Sequence, residues 1–340
     1  MNPTTPETNT NLGLQHQQSA HCETGVVSSM LTHCGLPMSE PMAFGLASAL
    51  TFAYIPLVKL SGMPLITYRM PPRSILKGVQ KQVGLKMHYQ TFRDPAKGMA
   101  ELDAQLAKGQ LVGLQTSVFW LPYFPETMRF HFNAHNLLVY GRDGNDYLIS
   151  DPVFEEPVRC DAQSLMKARF AKGALAAKGM MYYPKQIPAT FDLARTSQQA
   201  IRKSYRIMTG APFPMIGIRG IRYLGKKIIQ LSQDASKREH YLPLYLSHIV
   251  RMQEEIGTGG AGFRFIYAAF LRETGAALNN NLLKDAAEMI TEAGDEWRMF
   301  ALQSSKMCKG RTAMDAGLLA NTLNSCANQE AKAWALLKAY

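Results

Sequence analysis

Apolar residues in the second half of the chain recur at intervals of three and four positions, the spacing of amphipathic helices. The pattern predicts helices near residues 193–208, 221–232, 241–256, 260–276, 282–308 and 313–338. A Gly- and Pro-rich break, TGAPFPMIGIRG, separates the first of these helices from the others. We therefore expect an all-α domain over residues 190–340.

In the first half the pattern changes from helical spacing to short apolar runs. Cys22 opens a run that ends at Gly35, a residue suited to the position after a helix C-terminus. Further helices are predicted near 40–50, 73–83 and 95–108. Four later runs predict strands: LVGLQTSVFW, NLLVYG, DYLIS and KGMMYYP. Helices followed by a mostly antiparallel sheet are typical of an α+β domain, which we expect over residues 20–185.

Composition changes this picture little. The chain is 46% hydrophobic and 19% charged, which favours a packed protein over a disordered one. The first nineteen residues are polar and lack the basic and apolar regions of a signal peptide, so we expect a disordered tail there and a cytoplasmic location. No run of about 18 apolar residues occurs, so no transmembrane segment is expected.

The segment FNAHNLLVYGRDGNDYLISDP predicts a β-hairpin that brings a histidine and a carboxylate together. A three-residue loop, RDG, with Gly144 in the left-handed conformation would set His135 directly opposite Asp151. Such a pair can fix the imidazole tautomer and support a positive charge on the ring. A two-residue Asp-Gly turn would place the two side chains on opposite faces. The alternative is a histidine that only packs.

Cys22 supplies a candidate nucleophile. The five cysteines are widely spaced and include no CxxC pair, so neither a disulfide framework nor a metal site is expected. Cys22 stands at a predicted helix N-terminus, where the helix dipole stabilises a thiolate. A cysteine, then a histidine and a carboxylate, is the chain order of papain-like chemistry. Gln15 and Gln17 are candidate oxyanion donors together with the Cys22 N–H, and His131 is an alternative base or pocket residue.

A net charge of +11 is concentrated in one stretch whose only acid is Asp234. The basic residues of this stretch are Arg202, Lys203, Arg206, Arg219, Arg222, Lys226, Lys227, Lys237 and Arg238. Such a field attracts an anionic partner. An acidic carrier protein, anionic lipid headgroups at a peripheral membrane contact and nucleic acid are all open, as is a solvated face without a partner. No nucleic-acid recognition motif is present, so nucleic acid is the weakest of these.

The Gly-rich segment GTGGAGFR lies at a predicted helix start. The N–H groups around Gly259 and Gly260, together with Arg264, would hold a phosphate such as that of phosphopantetheine. The favoured alternative is that the glycines permit a tight turn or close helix packing. No strand clearly precedes this segment and no Lys-Ser/Thr follows it, as both would in a P-loop.

The segment HCETGVVSSMLTHCGLPMSEPMAFGLASALTFAY resembles the N-terminal domain of the butirosin biosynthesis protein H family. The later HNLLVYG and SDP segments also match, and EEIGTGGAGFRFIYAAFLRE resembles the helical domain that usually follows. The resemblance covers roughly residues 20–310. It implies a papain-like fold, similar to that of bacteriocin-processing peptidases, followed by an all-α domain.

The resemblance also implies an activity. The founding member moves an aminoacyl group from an acyl carrier protein thioester to an amine of an aminoglycoside. The peptidase order of Cys, His and Asp maps onto Cys22, His135 and Asp151, and no cofactor is implied beyond the phosphopantetheine arm of the carrier. The related peptidases place an oxyanion glutamine six residues before the cysteine, where this chain has His16 between Gln15 and Gln17. The identity of that donor therefore stays open.

We expect an acyltransferase that acts on a carrier thioester and a small-molecule acceptor carrying an amine or hydroxyl. A cysteine peptidase or thioesterase with the same three residues is one alternative, because exclusion of water decides between transfer and hydrolysis. A non-catalytic protein whose basic half binds an anionic partner is the other. The acyl chain, the acceptor and the oligomeric state do not follow from the sequence.

Overall fold

The structure is a computed structural model that describes residues 9–60 and 62–340. The chain divides into two compact units, each formed by two stretches: Met1–Glu40 with Val79–Phe191, and Pro41–Gly78 with Asp192–Tyr340. The sequence pattern predicted one continuous domain over residues 20–185. The division instead assigns residues 41–78 to the second unit, so the first unit is interrupted in sequence.

The described residues form helices and strands with the following bounds: β1 Thr10–Asn11, α1 Cys22–His33, α2 Glu40–Leu46, β2 Leu50–Leu60, β3 Met63–Arg69, α3 Ser74–Val83, β4 Lys86–Gln90, α4 Pro95–Ala107, β5 Val112–Thr116, β6 His135–Asp143, β7 Asp146–Ser150, β8 Val158–Asp161, α5 Ala162–Arg169, β9 Met181–Gln186, α6 Leu193–Gly210, α7 Gly217–Gln233, α8 Ala235–Arg238, α9 Tyr241–Val250, α10 Arg264–Ala277, α11 Asn281–Cys308 and α12 Ala316–Leu337. No helix of these residues is both long and apolar enough to cross a membrane.

The first unit is built on an antiparallel sheet in the order β4-β9-β5-β6-β7-β8, with β1 beside β6. Alternate residues of the central strands face one apolar core, including Leu137 and Val139 of β6 and Tyr147 and Ile149 of β7. Residues of α4 and α5 complete that core. Helices combined with an antiparallel sheet confirm the α+β class.

The loop between β6 and β7 differs from the prediction. Asp143 pairs with Asp146, so Gly144–Asn145 is a two-residue loop, and the predicted three-residue loop is wrong. Gly144 has a φ of 56°, a backbone conformation that glycine adopts without the steric cost of a Cβ. Without any further irregularity, this register would have placed the predicted histidine and carboxylate on opposite faces of the sheet.

A β-bulge at Tyr140 restores the shared face. The bulge shifts the pairing by one residue, after which Leu138 pairs with Ser150. Continuing this register sets Asp151 two residues from the position opposite His135, so the pair is diagonal and not directly opposed. Diagonal neighbours on one face are about 7–8 Å apart at Cα, within reach of a histidine and an aspartate side chain.

The segment before α1, which was expected within a disordered tail over 1–19, packs on the first unit where it is described. Residues 1–8 lie outside the described part of the chain. β1 pairs with the end of β6, where Thr10 lies opposite Arg142 and Asn11 lies opposite Gly141. A Cβ at Gly141 would lie 2.2 Å from the Thr10 carbonyl oxygen, so the glycine allows β1 to approach. The expectation of disorder is therefore wrong for residues 9–19.

The second unit combines six long helices with the hairpin of β2 and β3. The helices near the predicted ranges are α6, α7 and α9 to α12. The predicted helix through residue 50 is wrong beyond Leu46, because Ser48 has a φ of 54° and the residues from Leu50 onward form a strand. The β-branched and aromatic residues of this strand favour the extended conformation.

Candidate active site

The first turn of α1 presents Cys22. The helix begins at this cysteine, after His21, whose ring Nδ1 accepts a hydrogen bond from the Thr24 N–H at 3.4 Å. His21 therefore serves as the helix N-cap. Cys22 is only 9% exposed, and the positive end of the helix dipole stabilises negative charge on its sulfur.

Glu40, the first residue of α2, holds the turn that precedes Cys22. Its carboxylate accepts hydrogen bonds from the Ala20 N–H at 2.9 Å, the His21 N–H at 2.8 Å and the Thr24 hydroxyl at 2.7 Å. Burial raises the pKa of Glu40, and these three hydrogen bonds oppose that change. Nothing in the sequence pattern singled out Glu40, because its partners lie about 20 residues away.

His135 and Asp151 meet in the interior of the first unit. Nε2 of His135 lies 2.7 Å from Oδ2 of Asp151, and the two side chains are 4% and 0% exposed. His135 extends the apolar row of Leu137 and Val139, and Asp151 extends the row that contains Ile149. His135 and Asp151 thus lie at one end of two rows of strand side chains, and the other residues of these rows face the apolar core.

Asp151 is held by two further groups. The Tyr123 hydroxyl donates to Oδ2 at 2.9 Å, and the Val153 N–H donates to Oδ1 at 3.1 Å. Burial, followed by the charge of Asp151, raises the pKa of Tyr123 well above its usual value, so the phenol remains a donor. Tyr123 was not predicted as a site residue, because it lies 28 positions from Asp151 in a loop without a recognisable motif.

The Cys22 thiol is a hydrogen-bond partner of the His135 ring. Because Nε2 is engaged by Asp151, Nδ1 is the nitrogen left for the thiol. Burial lowers the pKa of His135, but the charge and hydrogen bond of Asp151, together with the contact to Cys22, outweigh burial and raise it to about 10. The imidazole is therefore set up to carry a positive charge beside the sulfur.

Aromatic rings enclose the histidine and the carboxylate. Phe124 meets His135 edge to face at 5.4 Å between ring centroids, and Phe154 contacts both Phe124 and Tyr123. These rings exclude water and strengthen the electrostatic interaction between His135 and Asp151.

Gly25 explains how α1 comes close to this pair. A Cβ at Gly25 would lie 2.6 Å from Cβ of Pro152, the residue that follows Asp151, and 2.7 Å from Cβ of Ser19. Only glycine permits this approach, because neither neighbour is the far end of a flexible side chain. Gly25 lies one helical turn after Cys22, so the close packing positions the thiol relative to Asp151.

The predicted oxyanion donors lie on the surface. Gln15 and Gln17 are exposed, while His16 is half-buried between them. The His16 ring bonds to the Ser150 hydroxyl at 2.7 Å and to the Phe154 carbonyl at 3.0 Å, so it ties the N-terminal segment to the strand that leads to Asp151. The oxyanion role of the two glutamines stays a prediction.

His131 is exposed and does not lie on a strand, because β6 begins only at His135. His131 therefore does not share a strand face with His135. The His131 ring stacks on Phe119 with centroids 4.1 Å apart. The histidine in contact with Cys22 is His135, and His131 stays a candidate for substrate contact.

The basic candidates of the second unit lie on α7. Arg219 and Lys226 are exposed, and Lys227 is half-buried and contacts Gln230. Arg222 is half-buried and donates to Asn328 on α12 at 2.8 Å. These four side chains leave positive charge at the surface of the second unit, as the sequence predicts, without identifying a partner.

Arg264 is not available to a phosphate. It is fully buried and paired with Glu330, with Nε lying 2.9 Å from the carboxylate. Glu254 also accepts a hydrogen bond from the Ala261 N–H at 3.1 Å. A carboxylate of the protein therefore already binds an N–H group of the Gly-rich segment. The phosphate interpretation of Gly259, Gly260 and Arg264 is therefore wrong for Arg264.

The glycines of this segment permit a close turn. Gly259 and Gly260 have φ values of 66° and 85°. A Cβ at Gly260 would lie 2.9 Å from a guanidinium nitrogen of Arg298. The favoured alternative, glycines that allow a tight connection, fits these contacts.

The assembled groups can perform one kind of chemistry. A thiol at a helix N-terminus, an imidazole and a buried carboxylate form the arrangement of a papain-like cysteine enzyme. Among residues 9–60 and 62–340, no group of three or more His, Cys, Asp or Glu side chains could hold a metal ion.

Comparison with known proteins identifies two families. The domain of unknown function DUF4872 matches residues 163–337, and the family described as butirosin biosynthesis protein H, N-terminal, matches residues 21–152. A solved structure described as a C39-like peptidase from Bacillus anthracis has a TM-score of 0.37 and 16% identity, covering 53% of this chain and 100% of that chain. No curated protein matches the sequence.

Proposed function

Because the chain belongs to the DUF4872 family and carries the N-terminal domain of the butirosin biosynthesis protein H family, we propose that it is a cysteine-dependent acyltransferase. It transfers an acyl group from an acyl carrier protein thioester, through an acyl-Cys22 enzyme, to an amine or hydroxyl acceptor in a specialised-metabolite or lipid pathway. The observation that carries this proposal is the contact of the Cys22 thiol with His135, whose other nitrogen is held by Asp151.

In the first half-reaction the thiol proton of Cys22 passes to Nδ1 of His135. The thiolate attacks the thioester carbonyl carbon, and the π electrons move to the carbonyl oxygen. When the tetrahedral intermediate collapses, the bond from carbon to the pantetheine sulfur breaks. That sulfur takes the proton from His135 and leaves as a thiol, while the acyl group stays on Cys22.

In the second half-reaction the acceptor amine gives a proton to His135 as its nitrogen attacks the acyl-Cys22 carbonyl. Collapse breaks the bond between the carbonyl carbon and the Cys22 sulfur, which takes back the proton. Asp151 stabilises the imidazolium in both half-reactions, and Tyr123 holds Asp151 in place. N–H groups of the first turn of α1, together with Gln15 or Gln17, stabilise the oxyanion.

A carrier thioester suits this site for two reasons. A thiol is a good leaving group that requires little protonation, so an imidazolium is a sufficient acid. An acidic carrier protein is also attracted to a basic surface, and Arg219, Arg222, Lys226 and Lys227 supply one. The phosphopantetheine arm of the carrier brings the acyl group, and the enzyme needs no bound cofactor.

The test is incubation of the protein with an acyl carrier thioester, with and without amine acceptors, followed by product mass analysis. We expect an acyl-amine that forms faster than free acid, and neither product from the Cys22→Ala variant. Free acid at the same rate with and without amines identifies a thioesterase or peptidase instead. Full transfer by Cys22→Ala overturns the nucleophile assignment.

A further inference from the structure

The second unit contains a groove of about 520 Å³ that lies between the β2–β3 hairpin and the end of α6. This volume is in the range of small-molecule sites. Tyr54 donates from its N–H to the Met215 carbonyl at 3.0 Å, and Ala53 bridges to Ile216, so the segment after α6 is fastened to the edge of β2. The groove is therefore closed at this end by backbone hydrogen bonds within the second unit.

The floor of the groove is the outward face of the hairpin. Ala53, Ile55 and Leu65 line it together with Thr51, Thr67 and Arg69, while the intervening residues Tyr54 and Ile66 are buried on the opposite face. The outward face of a two-stranded antiparallel sheet is normally polar, because water covers it. Here the threonines and Arg69 present almost only carbon atoms to the groove, and an apolar surface of this kind is typical of a site that takes an apolar group.

One edge of the groove is basic. Lys203 and Arg206, both exposed on α6, line the groove through apolar atoms of their side chains, and none of the described lining residues is acidic. Arg69 of β3 also lines it, but its guanidinium donates to the Met70 carbonyl at 2.8 Å. The exposed charges of Lys203 and Arg206 therefore favour an anion at the edge of the groove, and its apolar interior favours a hydrocarbon chain. A compound with both parts is a fatty acyl anion.

We propose that this groove binds a single saturated acyl chain whose anionic head lies against Lys203 and Arg206. The ligand makes its apolar contacts with Ala53, Ile55 and Leu65. Every lining residue belongs to the second unit, so this binding is a property of that unit and goes beyond the reaction at Cys22. Binding is therefore expected in the Cys22→Ala protein as well.

The experiment is calorimetric titration of the full-length Cys22→Ala protein with dodecanoate, below the concentration at which dodecanoate forms micelles. We expect binding that weakens about tenfold for decanoate, because each lost methylene removes roughly 0.8 kcal/mol of apolar burial. Dodecyltrimethylammonium, with the same chain and a cationic head, is expected to bind at least tenfold more weakly than dodecanoate. Equal binding of the cationic compound, or no dependence on chain length, overturns the proposal.

Two double variants of α6 distinguish binding in the groove from nonspecific attraction to positive charge. Lys203→Glu with Arg206→Glu is expected to weaken dodecanoate binding tenfold or more. Arg195→Glu with Arg202→Glu makes the same charge change at exposed positions of α6 outside the groove, and is expected to change binding less than twofold. Equal losses in the two double variants contradict a specific site.

A third variant tests the groove itself. Gly210 lines it, and a Cβ there would meet open space, so Gly210→Leu adds bulk inside the groove without a clash in the folded chain. We expect at least fivefold weaker dodecanoate binding at an unchanged Tm. Unchanged affinity, or binding of anionic vesicles without binding of monomeric dodecanoate, overturns the proposal in favour of a surface contact.

Discussion

Each of the two units buries an ion pair, and the two pairs differ in the groups to which their polar atoms bond. In the second unit Arg264 donates to Glu330 at 2.9 and 3.3 Å and to the Gly262 carbonyl at 2.8 Å, and Trp297 donates to Glu330 at 2.8 Å. In the first unit, His135 gives one nitrogen to Asp151 and the other to the Cys22 thiol.

This difference separates a pair that stabilises structure from a pair that can move a proton. A guanidinium stays charged at any ordinary pH, and all its groups here bond to fixed acceptors. An imidazole changes its protonation state, and a thiol is the group with which it exchanges a proton. Burial and opposite charge alone therefore do not identify an active site. The thiol of Cys22, which contacts the imidazole, distinguishes the pair in the first unit.

Removal of the nucleophile is the change with the largest expected effect on transfer. Cys22→Ala should lower the transfer rate by about 10³-fold or more, because the acyl-enzyme forms on the Cys22 sulfur, while the free energy of unfolding changes by less than about 1 kcal/mol. Steady-state rates and urea unfolding measure the two quantities. Cys34→Ala, at an exposed cysteine, is the control and should leave the rate unchanged.

Breaking the ion pair between Arg264 and Glu330 should lower the stability of the protein and leave the transfer rate unchanged. Arg264→Met leaves Glu330 buried without its partner, so the free energy of unfolding should fall by about 3–5 kcal/mol, while the transfer rate per folded molecule is retained. Arg272→Met removes an exposed ion pair with Glu288 and should cost less than about 1 kcal/mol. If the two variants lowered the free energy of unfolding equally, the buried ion pair of Arg264 would stabilise the second unit no more than an exposed pair does.

The dependence of stability on pH also distinguishes the His135–Asp151 pair from the Arg264–Glu330 pair. Burial lowers the pKa of His135, but Asp151 and Cys22 raise it to about 10, above its ordinary value of 6.5. The stabilisation from the charged ring is therefore fully present below about pH 6.5 and is lost as pH rises through about 10. Asp151→Asn should remove this contribution.

We expect the difference in Tm between the wild-type protein and Asp151→Asn to be largest near pH 6 and to shrink as pH rises toward 10. Thermal unfolding from pH 6 to pH 11 measures it. Other groups titrate in this range in both proteins, so the difference isolates His135. A difference that stays constant over the whole range would contradict the assigned pair.

Loss of one hydrogen bond at the carboxylate has the smallest expected effect. Tyr123→Phe removes a donor to Asp151, so we expect a rate two- to tenfold lower and a loss of roughly 1.5 kcal/mol of stability. Tyr89→Phe, at an exposed tyrosine that donates to Gln80, is the matched control. A Tyr123→Phe rate equal to that of Tyr89→Phe would exclude a positioning role for Tyr123.

The sequence predicted the strand pair that carries the site but not its register. The segment DYLIS forms β7 with the predicted bounds, because alternation of apolar residues is a local signal. The two-residue loop and the bulge at Tyr140 were not predictable, since each depends on hydrogen bonds between strands and with β1. The prediction of a shared face for His135 and Asp151 therefore rested on a loop that the structure does not contain.

Contacts made over long sequence distances were also beyond the sequence analysis. Glu40 and Tyr123 reach the site from α2 and from a loop, and no motif marks either residue. The helix predicted over residues 40–50 extended past Leu46 to the first residue of β2, because FGLASAL has apolar residues at helical spacing, whereas Ser48 has a φ of 54°. Local pattern thus identified the three central residues, and tertiary contacts supplied the groups that hold them.

The central claim is that His135 makes the buried Cys22 a better nucleophile than an exposed cysteine. Cys34 provides the comparison within the same chain, because it is exposed and no predicted catalytic group accompanies it. The direct measurement is peptide mass mapping after brief exposure of the folded protein to an acyl carrier thioester at pH 7. We predict one acyl group on Cys22 and none on Cys34, and no acylation of Cys22 in His135→Ala. An acyl group on Cys34 with Cys22 unmodified would contradict it.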